Sequence, residues 1–269
     1  MYKKLLLVTI IATSLALSAC DSSSEKTDQE QNESAHSSNP DILPYLNIKQ
    51  QSANVAWPLW ENKNCRDVDM QTIRTQDTWL NSWIEKNQAT VIQDQIGLNQ
   101  NMNLQQAINA YVKKSDAWQA EEKNKSAYEL TVYTRMAYQR NQYLLLQIGL
   151  DSKQDGVNTT ERYYFFAADR KQQKALKILD VIDAKQQVNM NDFVQKAYQE
   201  WLEKQIPSVK EIAPKKLLWG QADWFFDHEG LGLHFRTNEI VKDAQQLDIY
   251  LTKAQTQQVV KPVIYENMF

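Results

Sequence analysis

The sequence predicts an α+β fold in which an antiparallel sheet is covered by helices on one side. Three observations point to it. Apolar residues recur at helical spacing between residues 78 and 121. Three successive segments rich in Val, Tyr, Phe and Leu follow between residues 128 and 168. An aromatic hairpin pattern and a further alternating segment then fill residues 223 to 251.

In chain order, Asp77 is placed to cap a helix carrying Leu80, Trp83, Ile84, Val91, Ile92 and Ile96, which Gly97 closes. Asn103 opens a second helix, with Leu104, Ala107, Ile108, Tyr111, Val112 and Trp118 along one stripe. Tyr128 to Tyr138, Gln142 to Leu150 and Thr159 to Ala168 read as strands separated by short polar breaks such as Asp155-Gly156. Leu176 to Ile182 suits either a strand or one helical turn. Asn191 is expected to cap a third helix bearing Phe193, Val194, Ala197, Tyr198, Trp201 and Leu202, and Pro207 to end it. Leu217 to Trp219, Asp223 to Asp227 and Leu231 to Arg236 are strand candidates, with His228-Glu229-Gly230 as the turn between the last two. Leu247, Ile249 and Leu251 alternate as in a strand, and Thr252 caps a final helix that Pro262 stops.

Residues 1–19 read as a signal peptide: Lys3 and Lys4 precede an apolar run from Leu5 to Leu17, too short for a comfortable span of about 20 residues. Leu17-Ser18-Ala19-Cys20 resembles the bacterial lipobox, which implies cleavage before Cys20 and acylation of its sulfur. Each buried lipid CH₂ contributes about 0.8 kcal/mol, so several acyl chains hold firmly. The expected location is therefore the bacterial cell envelope, anchored by lipid and facing the periplasm or exterior. Asp21 resembles an inner-membrane retention signal, but the choice of membrane stays open. The rest of residues 20–40 has no Leu, Ile, Val or aromatic residue and is expected to be a disordered tether reaching about 25 Å. Residues 41–269 form the module, with no further apolar run approaching 18 residues.

Composition excludes several chemistries. The chain has only 6 Gly, 2 Cys and 3 His, too few and wrongly spaced for a phosphate loop, a dinucleotide fingerprint or a cysteine-rich zinc module. Of its 30 basic and 33 acidic side chains, 27 and 28 lie in residues 41–269. The module is near neutral, with no basic stripe for nucleic acid. No cofactor is expected. With Cys20 acylated, Cys65 is left either buried as a small hydrophobe or available for an intermolecular bridge.

His228 and His234 could meet across a turn beside Asp227, but their spacing is not that of His-Glu-x-x-His, and surface or hairpin polar roles are the plainer reading. Asp223 and Asp227 on one strand face would stand about 13 Å apart, beyond the roughly 5 to 9.5 Å of glycoside chemistry. No Gly-x-Ser-x-Gly is present. Trp219, Trp224, His228 and His234 are the candidate partner-binding residues, weighed against core packing of the aromatics.

The segment Trp224-Phe225-Phe226-Asp227-His228-Glu229-Gly230-Leu231-Gly232-Leu233-His234-Phe235, with Asn238-Glu239-Ile240 and the strand at Leu247 to Leu251, resembles the C-terminal half of the RsiV-like family. The strands at 128 to 168 and Leu176 to Ile182 sit where that family's N-terminal half would place them. The resemblance spans roughly residues 45 to 265, with only the last 45 or so motif-like. It implies one extracytoplasmic module of two consecutive α/β halves, about 45–185 and about 186–269. It also implies a non-enzymatic binding role, with lysozyme the ligand of the anti-sigma members; peptidoglycan or another envelope component is the wider expectation. Two departures limit the transfer. No transmembrane or cytoplasmic segment is seen, so an anti-sigma role is not expected. Asp155-Gly156-Val157-Asn158 stands where the family carries Gly-Gly-Ala-His. The rival expectations are an enzyme acting on cell-wall glycan through Asp223, Asp227, Glu229 or His228, and a structural envelope-assembly protein.

Overall fold

The computed structural model describes residues 43–56, 68–121, 126–154 and 157–269. Cys20, the tether and Cys65 lie outside them. In chain order the elements are β1 (Lys49–Ser52), β2 (Val68–Arg74), α1 (Thr78–Gln95), α2 (Leu104–Glu121), β3 (Glu129–Arg140), β4 (Tyr143–Gln154), β5 (Val157–Asp169) and β6 (Lys174–Leu176). Then come α3 (Ile178–Val181), α4 (Gln187–Glu203), α5 (Pro207–Ile212), β7 (Asp223–Phe226), β8 (Leu231–Phe235), β9 (Leu247–Tyr250), α6 (Lys253–Val259) and α7 (Pro262–Met268). The fold is α+β: one sheet runs β1-β2-β3-β4-β5-β6 and a smaller one β7-β8-β9.

The helix signals act as their chemistry requires. Asp77 accepts a hydrogen bond from the Leu80 N–H at 3.0 Å, and Asn103 Oδ1 accepts from the Gln106 N–H at 2.8 Å. Gly97 adopts a φ of 69° just past α1, a conformation other residues rarely hold. Two expectations about proline are corrected. Pro207 and Pro262 do not stop helices; each opens one, α5 and α7, where its missing N–H costs nothing and its fixed φ suits the first turn. Asn191 is interior to α4, because the chain already turns at Asp183, whose carboxylate accepts from the Lys185 N–H, and runs on from a 3-10 turn (Ala184–Gln186) into the helix. Leu217 to Trp219 is no strand either; Trp219 starts a 3-10 turn that tucks the indole into the core. Leu176 to Ile182 divides into the end of β6 and the single turn α3.

The strands at 128 to 168 pair as an antiparallel meander, β3-β4-β5. Beyond β3 the sheet continues through β2, which runs parallel to it, and β1 at the edge. Neither edge element was expected from the sequence: β1 is Lys-Gln-Gln-Ser and wholly exposed, so it has no apolar alternation.

The large sheet carries two cores. Leu130, Val132, Leu144, Leu146, Ile148 and Leu150 face α1 and α2, meeting Leu80, Ile84, Val91, Ile92, Ala107 and Ile108. Tyr143, Leu145 and Ala167 belong to the second core, made with α4, the small sheet, α6 and α7. Alternation along β4 thus sends successive side chains into different cores. Full burial of each such Leu or Ile contributes about 1.5–3 kcal/mol.

Candidate interaction surface

Two glycines organise the surface where the sheets meet. Gly149 on β4 lies opposite Tyr133 on β3 and Tyr163 on β5. The Tyr133 ring crosses directly over it, so a Cβ at Gly149 would fall 1.9 Å from that ring. The same arrangement recurs in the small sheet. Gly232 on β8 lies opposite Phe225 on β7 and Tyr250 on β9, and a Cβ there would fall 2.1 Å from the Phe225 ring. In each case a central-strand glycine leaves room for flanking aromatic rings to close over the backbone.

The flanking rings also touch one another. Tyr133 and Tyr163 meet edge to face at 6.3 Å between centroids, and Phe225 and Tyr250 at 5.8 Å. Phe165 lies two residues beyond Tyr163, hence on the same face of β5. Its ring reaches Phe225 at 5.2 Å and His234 at 5.2 Å. The result is a strip of five aromatic side chains crossing from one sheet to the other. Tyr133, Tyr163, Phe165 and Phe225 are half-buried and Tyr250 is 41% exposed.

Carboxylates stand at both ends of the strip. At one end, burial raises the Tyr133 phenol above its ordinary range, reinforced by its hydrogen bond with Tyr163 and by the charges of Asp151 and Glu161. At the other, burial, the hydrogen bond to Asp227 and the charges of Asp227 and Glu229 raise Tyr250. Both phenols therefore remain protonated donors at neutral pH. Asp227 accepts from the Tyr250 hydroxyl and from the N–H groups of Glu229 (2.8 Å) and Gly230 (3.2 Å). Burial opposes its ionisation, but these bonds outweigh it and hold the carboxyl below its usual range.

The join between the sheets is polar. Asp223 accepts from the Phe165 N–H at 3.4 Å and pairs with Arg236. Arg236 also donates to the Tyr163 carbonyl (3.5 Å) and to Glu239 (3.0 Å), and its guanidinium lies 4.2 Å from the Tyr164 ring centroid. The side chains of β7 and of the residue after β8 thus satisfy backbone groups on the outer edge of β5.

Of the residues singled out in the sequence, Trp219 and Trp224 are 8% and 4% exposed and lie in the second core. Their burial removes them from direct partner contact, and Trp224 spends its indole N–H on the Leu176 carbonyl. His228 is exposed in the turn, 3.7 Å from Glu229. His234 is 2% exposed, with Nδ1 2.6 Å from Asp248. Its Nε2 has no hydrogen-bond partner, so this His-Asp pair faces no hydroxyl or thiol among the described residues. Nor do the described residues contain three His, Cys, Asp or Glu side chains grouped to hold a metal. Asp223 and Asp227 are each engaged by the partners above. The strip itself was missed in the sequence. Its signal was present, a lone glycine inside each of two strand patterns, but which rings flank it depends on register.

No family model matches this sequence, and no curated protein matches it by sequence. Solved structures do match in fold. A DUF3298 family protein from Pseudomonas aeruginosa PAO1 superposes with a TM-score of 0.61 at 12% identity, covering 82% of this chain and 97% of that one. A member of the same family from Bacteroides fragilis NCTC 9343 gives 0.56 at 12% identity, covering 83% and 97%. The chain shares their fold.

Proposed function

We propose that this chain is a lipid-anchored binding module of the bacterial cell envelope, of RsiV-like type, acting by surface contact rather than by catalysis. The aromatic strip is the observation that carries the reading. It places five rings on two hydrogen-bonded sheets with little conformational freedom left to lose on association, and tyrosine is among the residues that dominate interface energetics. The Tyr133 and Tyr250 hydroxyls are already engaged within the fold, by Tyr163 and Asp227. The shared fold with DUF3298 family proteins, a family related to RsiV-like domains, agrees with the resemblance in the C-terminal segment. The partner is a protein such as lysozyme, or peptidoglycan.

Calorimetry of the unacylated Cys20→Ser chain with lysozyme, and co-sedimentation with purified peptidoglycan, test the partner. Binding that is lost in Tyr250→Ala and Phe165→Ala supports the strip. Absence of heat and of co-sedimentation retires it, and soluble glycan products released from peptidoglycan favour the enzyme instead. Anchoring is separate: wild-type protein is expected in the membrane fraction with a labelled acyl chain, and Cys20→Ser is expected to lose the label, while a chain lacking residues 1–20 is expected in the soluble fraction.

A further inference from the structure

On the other face of the large sheet lies a cavity that none of this uses. Its volume is about 330 Å³; it opens to solvent and is lined by the end of β1 and the residues after it, the end of β2, the first half of α1 and the start of α2. We propose that it is a binding site for a neutral, hydroxyl-bearing ligand the size of one sugar ring.

Gln88 forms its floor. This side chain is 0% exposed, and its Nε2 donates to Thr72 Oγ1 at 2.9 Å and Thr134 Oγ1 at 2.8 Å. Its Oε1 is buried without a partner. Turning the amide over would let both threonine hydroxyls donate to Oε1 but would strand the N–H groups instead. Either way one polar atom is left over, and a buried polar atom without a partner is costly. A hydroxyl group both donates and accepts, so it satisfies this position in either orientation of the amide.

The walls fit the same chemistry. Gln51, Asn54 and Asn103 bring amides, which also donate and accept without carrying charge. Val55, Ile73 and Leu104 bring an apolar patch suited to the C–H face of a sugar. The charged groups of the lining, Arg74 and Glu85, pair with each other at 3.5 Å, so the cavity has no net charge to offer an ion. At this volume it lies at the small end of ligand sites, which run from about 300 to 1,000 Å³. That is room for one ring. Thr134 and Tyr133 are neighbours on β3, so their side chains point to opposite faces; the cavity and the aromatic strip are independent.

The test is a titration of the full chain with N-acetyl-D-glucosamine, D-glucose, inorganic phosphate and L-lysine, followed by amide chemical shifts. Saturable shifts with at least one of the sugars, centred on the Gln88 side-chain amide and with a Kd in the millimolar range, are expected; phosphate and lysine give none. Leu104→Trp, which fills the cavity from its rim, and Gln88→Met are each expected to weaken binding at least about tenfold. If Gln88→Met fails to fold, Leu104→Trp decides. No saturable shift with either sugar at about 50 mM overturns the proposal, as would a lone buried water on Gln88 that neither sugar displaces. So would sugar binding that survives Leu104→Trp, or binding of phosphate or lysine at this cavity. Because the strip is on the opposite face, its partner tests stand or fall separately.

Discussion

Single side chains at the join between the sheets have effects out of proportion to their size. A methyl group added at Gly149 or Gly232 meets an aromatic ring held between strands. Gly149→Ala is expected to destabilise by about 1–3 kcal/mol through overpacking, and the double variant with Tyr133→Ala to recover part of the loss. A double-mutant cycle by urea unfolding measures that coupling. Acid sensitivity also belongs to this scale. Asp180, Asp227 and Asp248 are all held below their ordinary range, in each case because hydrogen bonds and positive neighbours outweigh burial. A depressed carboxyl contributes stability above the unfolded-state value, near 4, and loses it as pH falls through the folded-state value. Thermal unfolding is therefore expected to weaken progressively below about pH 4. Asp248→Asn should flatten that decline, because the pair with His234 then no longer titrates through its carboxylate.

Among the elements, α1 is the one most firmly tied at its start. Asp77 both caps the helix and pairs with Arg170 at 2.7 Å, with both side chains largely withdrawn from water. Arg170 follows β5, so one carboxylate fixes the helix N-terminus to the sheet it covers. Loss of a cap alone costs about 0.5–2 kcal/mol, and stranding a buried charge about 3–5 kcal/mol. Asp77→Ala is expected to fall in the upper range, whereas Asp183→Ala, which caps only an exposed 3-10 turn, stays in the lower. Equilibrium denaturation of the two variants side by side checks the ordering. The capping residues at 77, 103 and 252 were legible because a side-chain cap is a local bond between near neighbours in sequence. Pro207 and Pro262 were misread because proline is compatible with both the end of one helix and the first turn of the next.

At the scale of the whole molecule, the two halves share one sheet. Leu144 and Leu146 point into the core under α1 and α2, while Tyr143 and Leu145 point into the core of the C-terminal half. A chain ending near residue 185 would leave Tyr143, Leu145 and Ala167 uncovered. Such a fragment is expected to lack cooperative unfolding, while the longer chain unfolds in one transition from residue 43 to the C-terminus. Scanning calorimetry that resolves two separate transitions in the full chain would contradict this.

The sequence by itself determined the α+β class, both long helices with their caps, the meander of three strands and the aromatic hairpin, because periodicity and capping are properties of neighbouring residues. It could not show β1, which is polar and pairs only with β2, nor β2, whose place depends on running parallel to β3. Nor could it say which aromatics are core and which are surface. Trp219 and Trp224, candidate anchors weighed against core packing, are buried, while Tyr133, Tyr163, Phe165, Phe225 and Tyr250 form the strip. Only the tertiary structure decided that, because the strip is assembled by register across six strands, from residues as far as 117 positions apart.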